Sequence, residues 1–237
     1  MKVKAFVFAA GLGTRLYPLT ANRPKALVCY QGKTLLQGVV EKIIAAGIHD
    51  IVVNVHHFPD QIIEHFKQHP YDAHIQISDE RAYLRDTAGG LKFAKPFLED
   101  SDILLLYNVD IISSIDIQNL IKHHIESEAD VTLAVRQRKT ARYFIFNQED
   151  MRLCGWRNIS TGEIMMPRPV EHMVDLAFSG IHVMNTHFLR QIPSVDKASI
   201  TPLYLQHMNN FVIKGFQHDN DDWLDVGKYS EFHNILT

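Results

Sequence analysis

Short apolar runs alternate with amphipathic stretches through the first half of the chain. Residues 5–10, 51–55 and 103–107 are apolar at both parities, the pattern of strands buried on two faces within a parallel sheet. Helical spacing fills the gaps between them. TLLQGVVEKIIAAG puts Leu35, Leu36, Val39, Val40, Ile43 and Ile44 on one side, with Thr34 as N-cap and Gly47 as the stop. PDQIIEHFKQH opens on Pro59, a residue suited to a first helical turn, and residues 116–128 align Ile117, Leu120, Ile121, His124 and Ile125. Strand and helix in alternation predict an α/β sheet with right-handed crossovers.

From Val131 the rhythm changes. VTLAVRQ, RYFIFNQ, MRLCGW and AFSGIHVMN read as short strands, in part antiparallel, forming a β-rich lobe over about 131–184. Helices at 186–191 and 200–209, a strand in FVIKGF and a terminal helix from about Tyr229 follow. No linker, low-complexity tract or repeat interrupts the chain, so residues 1–237 are expected to form a single domain without a β-helix.

Composition narrows the partners. A chain of 237 residues with 46% hydrophobic and 22% charged residues is an ordinary globular protein. Its formal net charge of −3 offers no basic footprint for nucleic acid, so an anionic ligand must be met locally. Cys29 and Cys154 are too few for a disulfide framework and suit a reducing cytoplasm. The opening apolar run is too short for a signal peptide, and no stretch reaches the roughly 18 residues of a membrane span. Neither histidine pair, His56-His57 or His123-His124, can chelate a metal alone, because sequence neighbours diverge; His57 does follow an apolar strand and so sits at a cleft edge.

Ligands of open α/β sheets sit beyond the carboxyl ends of the strands. The first such end carries AAGLGTRLYPLTANRPKAL. Gly11 and Gly13 bring bare backbone to a ligand, Arg15 adds a planar donor fork and Lys25 a mobile charge, while Pro18 and Pro24 stiffen the loop. Such a loop suits a polyphosphate. The dinucleotide fingerprint fails where its third glycine would be Leu16, and a P-loop lacks its Gly-Lys-Ser/Thr. A plain turn would leave Thr14, Arg15 and Lys25 without a purpose. The second end, ILLLYNVD, delivers Asp110, and DNDDWLDVGK holds Asp225 between apolar neighbours. Two carboxylates converging on phosphates meet the needs of Mg2+, which takes one or two protein oxygens and keeps most of its waters.

GLGTRLYPLTANRPKAL resembles the signature Gly-x-Gly-Thr-Arg-Leu-x-Pro-Leu-Thr, then Pro-Lys-x-Leu, of the sugar-1-phosphate nucleotidyltransferases. The likeness continues in order through DTAGG, NVD, FSGIHVM and WLDVG. Within that family the short length and the Asn54-x-His56-His57 stretch are most similar to N-acetylmuramate-1-phosphate uridylyltransferases, with mannose-1-phosphate guanylyltransferases as near neighbours. The resemblance implies a Rossmann-like nucleotidyltransferase fold: a mixed, mostly parallel central sheet flanked by helices, with a small β-rich sugar-binding lobe. It implies transfer of a nucleoside monophosphate from a nucleoside triphosphate to a sugar 1-phosphate, with Mg2+ as cofactor. By the same resemblance Arg15 and Lys25 are catalytic and Asp110 and Asp225 hold the metal. Ala10, Gly11, Gly13, Thr14, Thr87, Gly89 and Asn108 bind the nucleotide, residues 79–87 line the base pocket, and Gly180 leaves room for the sugar. Departures fall at Val109 and Ala88, which replace family glycines, and around Arg142-Tyr143-Phe144, where a glycine near the sugar is missing. A non-catalytic regulatory subunit of the same fold is the competing expectation; loss of a charged site residue would mark it, and all four are present. The assembly expected is a monomer or small homo-oligomer.

Overall fold

The computed structural model describes residues 1–193 and 196–227; the expected helix from Tyr229 lies outside them. Strands Ile103–Asn108, Val3–Phe8, Asp50–Val55 and His74–Asp79 lie side by side and parallel. Their apolar residues divide by parity. Ala5, Val7, Val53 and Leu105 pack with Leu36, Val40 and Ile43 of helix Leu35–Ala45, whereas Phe6, Val52, Leu104 and Leu106 pack on the other face with Leu91, Leu203 and Tyr204. Burial on both faces explains why no polar alternation marks these strands.

Local chemistry sets the helix ends. Thr34 accepts a hydrogen bond from the Gln37 N–H at 3.1 Å, and Gly47 takes φ +82° beyond the helix it closes. Pro59 opens helix Pro59–Gln68, and Asp116 caps Ile117–Glu126 through the Asn119 N–H at 3.0 Å. Residues 186–191 form a 3-10 helix and Ile200–His207 an α-helix.

The sheet becomes mixed beyond Ile103–Asn108. The long strand Met173–Asn185 runs antiparallel to it, and Val131–Arg136 pairs with the far side of that long strand, with Ile213–Gln217 parallel beyond. Val131–Arg136 therefore belongs to the central sheet, and the lobe is narrower than 131–184. It consists of Arg142–Asn147, Leu153–Asn158, Glu163–Met165 and the first half of Met173–Asn185.

A register shift between Phe178 and His182 separates the two halves of the long strand. Gly180 stands within it at φ +78°, where an added Cβ would lie 2.8 Å from Ile111 Cγ1 and 2.9 Å from Asn108 Nδ2. Backbone conformation and close approach both demand glycine here. Gly180→Ala should lower unfolding free energy by about 1–3 kcal/mol. Urea denaturation measures it, and a loss within about 0.5 kcal/mol, the range of an unremarkable surface change, would show the bulge to be unconstrained.

Candidate active site

The carboxyl ends of the parallel strands open on one cleft of about 430 Å3. Strand register sets Asn54 and Asn108 on either side of Phe8 at its floor. Asn54 fixes the loop that leaves Phe8: its buried Oδ1 accepts from the Ala9 N–H at 2.7 Å and the Ala10 N–H at 3.2 Å, and its Nδ2 donates to Glu80 Oε1 at 2.8 Å. Burial pushes the Glu80 carboxyl up, against the pull of Asn54 and the Arg85 backbone N–H. An asparagine inside the apolar run IVVNV is the signal that marks this post, and it was read only as part of a family likeness.

The glycine loop follows. Gly11 has open space where a Cβ would sit, so its backbone faces the cleft bare. Gly13 takes φ +67°, and a Cβ there would crowd Thr20 Cγ2 at 3.0 Å and Lys25 Cβ at 3.1 Å. That close approach brings Lys25 beside the loop. The Thr20 hydroxyl donates to Gly13 O at 2.9 Å, and buried Leu16 anchors the 3-10 turn that carries Thr14 and Arg15.

Backbone ladders carry the carboxylates. Trp223–Asp225 pairs antiparallel with Ile111–Ser113, and the Val226 N–H donates to Asp110 O at 3.0 Å. Asp225 Oδ1 accepts from the Gly227 N–H at 2.7 Å. A Cβ built on Gly227 would stand 2.5 Å from Asp225 Oδ1, 3.1 Å from Arg15 Nη2 and 3.3 Å from Asp110 Oδ2. The carboxylates and Arg15 thus share one point. Lys25 Nζ donates to Asp110 Oδ2, completing a cluster of four charges. Burial and the neighbouring Asp110 carboxylate push the Asp225 carboxyl up, opposed by the Gly227 N–H, Lys25 and Arg15. Among the described residues no group of three or more His, Cys, Asp or Glu side chains could hold a metal by itself. The pair of carboxylate oxygens beside Arg15 and Lys25 is a sparse, hard donor set of the kind that Mg2+ accepts, since that ion keeps most of its waters.

Of the residues expected at the nucleotide, Ala10, Gly11, Gly13, Thr14, Thr87 and Asn108 line the cleft, with Leu84 and Asp86 from the expected base-side segment. Thr87 also has a structural task, its Oγ1 accepting from the Ile200 N–H at 2.9 Å. Gly89 does not reach the cleft. Its N–H donates to Ala198 O at 3.1 Å, and a Cβ would meet Asp196 O at 2.8 Å, so it is a packing glycine. Gly180 likewise yields its space to Asn108 and Ile111 and lines neither cavity described here. The His57 ring lies 4.1 Å from that of Phe58 rather than in the cleft. Lys197, which the motifs do not mark, lines the cleft as well.

A second, larger cavity of about 1100 Å3 adjoins, walled by Trp156, Trp223, Phe178, Arg138 and Arg142. Arg15 lines both cavities, Asp110 the first and Asp225 the second. The charge cluster stands at their junction. Among the described residues no helix is long and apolar enough to cross a membrane.

Asn54→Ala should cost about 2–4 kcal/mol in denaturant unfolding, because two backbone donors and Glu80 lose a buried partner; a loss under about 1 kcal/mol would remove Asn54 as the loop's post. Asp225→Asn should raise the melting temperature of the metal-free protein at pH 7. The folded-state pKa of Asp225 lies above its unfolded value, so ionisation disfavours folding at high pH, and the gain should fade as pH falls below the ordinary carboxylate range. Calorimetry across pH 3–7 checks both the sign and the window.

A model of the nucleotidyl transferase family matches residues 4–237. N-acetylmuramate alpha-1-phosphate uridylyltransferase of Caulobacter vibrioides is 41% identical over 111 residues, 46% of this chain and 46% of that protein. Mannose-1-phosphate guanyltransferase of Yarrowia lipolytica is 28% identical over 239 residues, 97% of this chain and 62% of that protein. The chain thus spans about 62% of the length of the guanyltransferase it matches. A Bacillus anthracis structure ascribed to glucose-1-phosphate thymidylyltransferase superposes with a TM-score of 0.81 at 17% identity, over 98% of this chain and 93% of that one, a likeness of fold. HddC from Yersinia pseudotuberculosis, complexed with GMP-PN, gives 0.75 at 18% identity over 98% and 97%. With the family match running almost end to end and the sheet agreeing, the chain belongs to the nucleotidyl transferase family.

Proposed function

We propose that this protein transfers a nucleoside monophosphate from a nucleoside triphosphate to a sugar 1-phosphate, releasing pyrophosphate, with UTP and N-acetylmuramate 1-phosphate as the pair. The observation that carries the reaction is the meeting of Arg15, Asp110 and Asp225 at one point where two cavities join. A cleft for the triphosphate and a cavity for the acceptor must share the atoms between which the phosphoryl group passes. An oxygen of the acceptor's phosphate attacks the α-phosphorus in line while the bond to pyrophosphate breaks, and such transfers depend on positioning and charge neutralisation.

Each side chain then has a task. Bare backbone at Ala10, Gly11 and Gly13 cradles the phosphates, Arg15 meets the charge that grows on the leaving pyrophosphate, and Lys25 holds the α-phosphate against the incoming one. Asp110 and Asp225 would hold Mg2+, which when bound offsets the repulsion between phosphate groups. Lys25 sits on Asp110 in the structure, so the ammonium lies one short movement from the phosphate site. The whole chain acts as one catalytic domain, in a cytoplasm where nucleoside triphosphates are available and Cys29 and Cys154 stay reduced.

The choice of UTP and N-acetylmuramate follows the 41% identity to the Caulobacter vibrioides protein over 46% of this chain. The guanyltransferases, similar over 97% of the chain, support GTP with mannose 1-phosphate as the second reading. A matrix of UTP, GTP, CTP and dTTP against N-acetylmuramate, mannose, glucose and N-acetylglucosamine 1-phosphates, read by pyrophosphate release, decides between them; silence in every cell would favour the regulatory-subunit reading instead. Arg15→Ala should lower turnover by about 100-fold or more, the scale of removing one preorganised charge donor. A change below about threefold, roughly 0.7 kcal/mol, takes Arg15 out of the transition state.

A further inference from the structure

Lys25 holds an oxygen that the pair of carboxylates would need for a metal ion. Its Nζ donates to Asp110 Oδ2, and the two side chains are only 11% and 17% exposed, so the pair is largely shielded from water. That oxygen is also the Asp110 atom nearest the point shared with Asp225. A Cβ on Gly227 would lie 3.3 Å from Asp110 Oδ2, 2.5 Å from Asp225 Oδ1 and 3.1 Å from Arg15 Nη2. An ammonium and a divalent cation on one oxygen repel each other at contact range, so one excludes the other. The backbone cannot carry Lys25 away. Lys25 opens the 3-10 helix Lys25–Leu27, closed by the Leu27 N–H on Pro24 O and the Val28 N–H on Lys25 O, both at 3.0 Å, and its Cβ is 3.1 Å from where a Cβ on Gly13 would stand. Only the flexible four-carbon stem can swing, and among the described residues Nζ has no second hydrogen-bond acceptor. An ammonium that leaves a shielded carboxylate needs another anion to go to.

The balance of charge points the same way. Asp110 and Asp225 stand against Arg15 and Lys25, so a divalent cation arriving alone adds unbalanced positive charge to the cluster. A phosphate group beside the glycine loop supplies both the compensating charge and the acceptor that the Lys25 ammonium lacks. We propose that Lys25 is a latch on the metal site: it keeps a divalent cation off Asp110 Oδ2 until a phosphate group in the cleft takes its ammonium, so that metal and phosphate each admit the other. The inference rests on reading Asp110 and Asp225 as the metal's ligands and the cleft as the phosphates'. Linkage then requires phosphate to raise the affinity for metal by the same factor as metal raises the affinity for phosphate.

Mg2+ titrated calorimetrically into the full-length protein reads the latch without turnover. Two variants remove the same charge and differ in what they release: K25M frees Asp110 Oδ2, while R15M leaves it gripped. Without phosphate, K25M should bind Mg2+ about tenfold or more tightly than the wild type, and R15M no more than about threefold more tightly. Inorganic phosphate, at a concentration that raises the melting temperature of the metal-free wild type, should then tighten wild-type Mg2+ binding about tenfold, after subtraction of the ion that phosphate holds in solution. In K25M the same addition should give about threefold or less. Equal gains in K25M and R15M reduce the effect to net charge and overturn the inference, as does a wild-type affinity that phosphate leaves unchanged. Should K25M fail to fold, the wild-type titrations with and without phosphate still decide. Phosphate that shifts the melting temperature at no concentration sinks the reading of the cleft instead, and the comparison of K25M with R15M, which needs no anion, then decides the latch. A protein that releases pyrophosphate yet shows no coupling keeps the transferase reading and loses this one.

Discussion

Like charge held at close range is the constraint on which the molecule turns. Asp110, in the turn after Ile103–Asn108, and Asp225, at the end of Trp223–Asp225, are brought within reach of one point beside Gly227, where burial and the Asp110 charge raise the cost of ionising Asp225. Side chains alone would splay apart. The ladder between Ile111–Ser113 and Trp223–Asp225, and the Val226 N–H on Asp110 O, fix the backbone on either side so that the carboxylates cannot separate without breaking it. Lys25 and Arg15 offset the repulsion. The cluster thus holds its two carboxylates together at a local cost in stability.

The bulge at Gly180 links this cluster to the rest of the architecture. Below it, residues 181–185 run in the central sheet beside Ile103–Asn108; above it, residues 173–176 leave to build the lobe. Asn108 and Ile111 fill the space that a side chain at 180 would take, so the turn of the long strand is packed against the segment that delivers Asp110. Sheet, lobe and carboxylate are therefore set by one contact. That is why the larger cavity, walled in part by the lobe and by Trp223, opens beside the cleft at the strand ends.

Much of this was legible because its signals are local. Strands apolar at both parities, Thr34 and Asp116 as caps, Pro59 at a helix start and the glycine loop each act through neighbours in sequence. The lobe was drawn too wide because Val131–Arg136 has the same composition whether it lies in the central sheet or outside it, and only its long-range pairing with Met173–Asn185 and Ile213–Gln217 decides. Gly89 and Gly180 read as ligand glycines for a related reason, while the structure shows protein atoms where their Cβ would stand. A glycine reports that a Cβ is unwelcome, and says nothing of whether a ligand or another part of the protein occupies the space.

The Ala88-Gly89-Gly90 stretch shows how such a question is settled. Ala88 stands where a glycine was expected, yet its methyl is fully buried in the core beside Phe6 and Leu91, and its N–H donates to Ala198 O at 2.8 Å. Its position asks for small bulk, not for absence of a side chain. At Gly89 a Cβ would strike the Asp196 carbonyl, and at Gly90 it would lie 2.6 Å from Glu80 Oε1 and 2.9 Å from Asn54 Nδ2. The second of these contacts reaches the cleft, because Asn54 is the residue that holds the Ala9 and Ala10 N–H groups. A side chain at 90 would displace the Asn54–Glu80 pair, and through it the Ala9 and Ala10 backbone that Asn54 holds. Each of the three positions thus sets its own limit on bulk, and the methyl of Ala88 stays within the limit at 88.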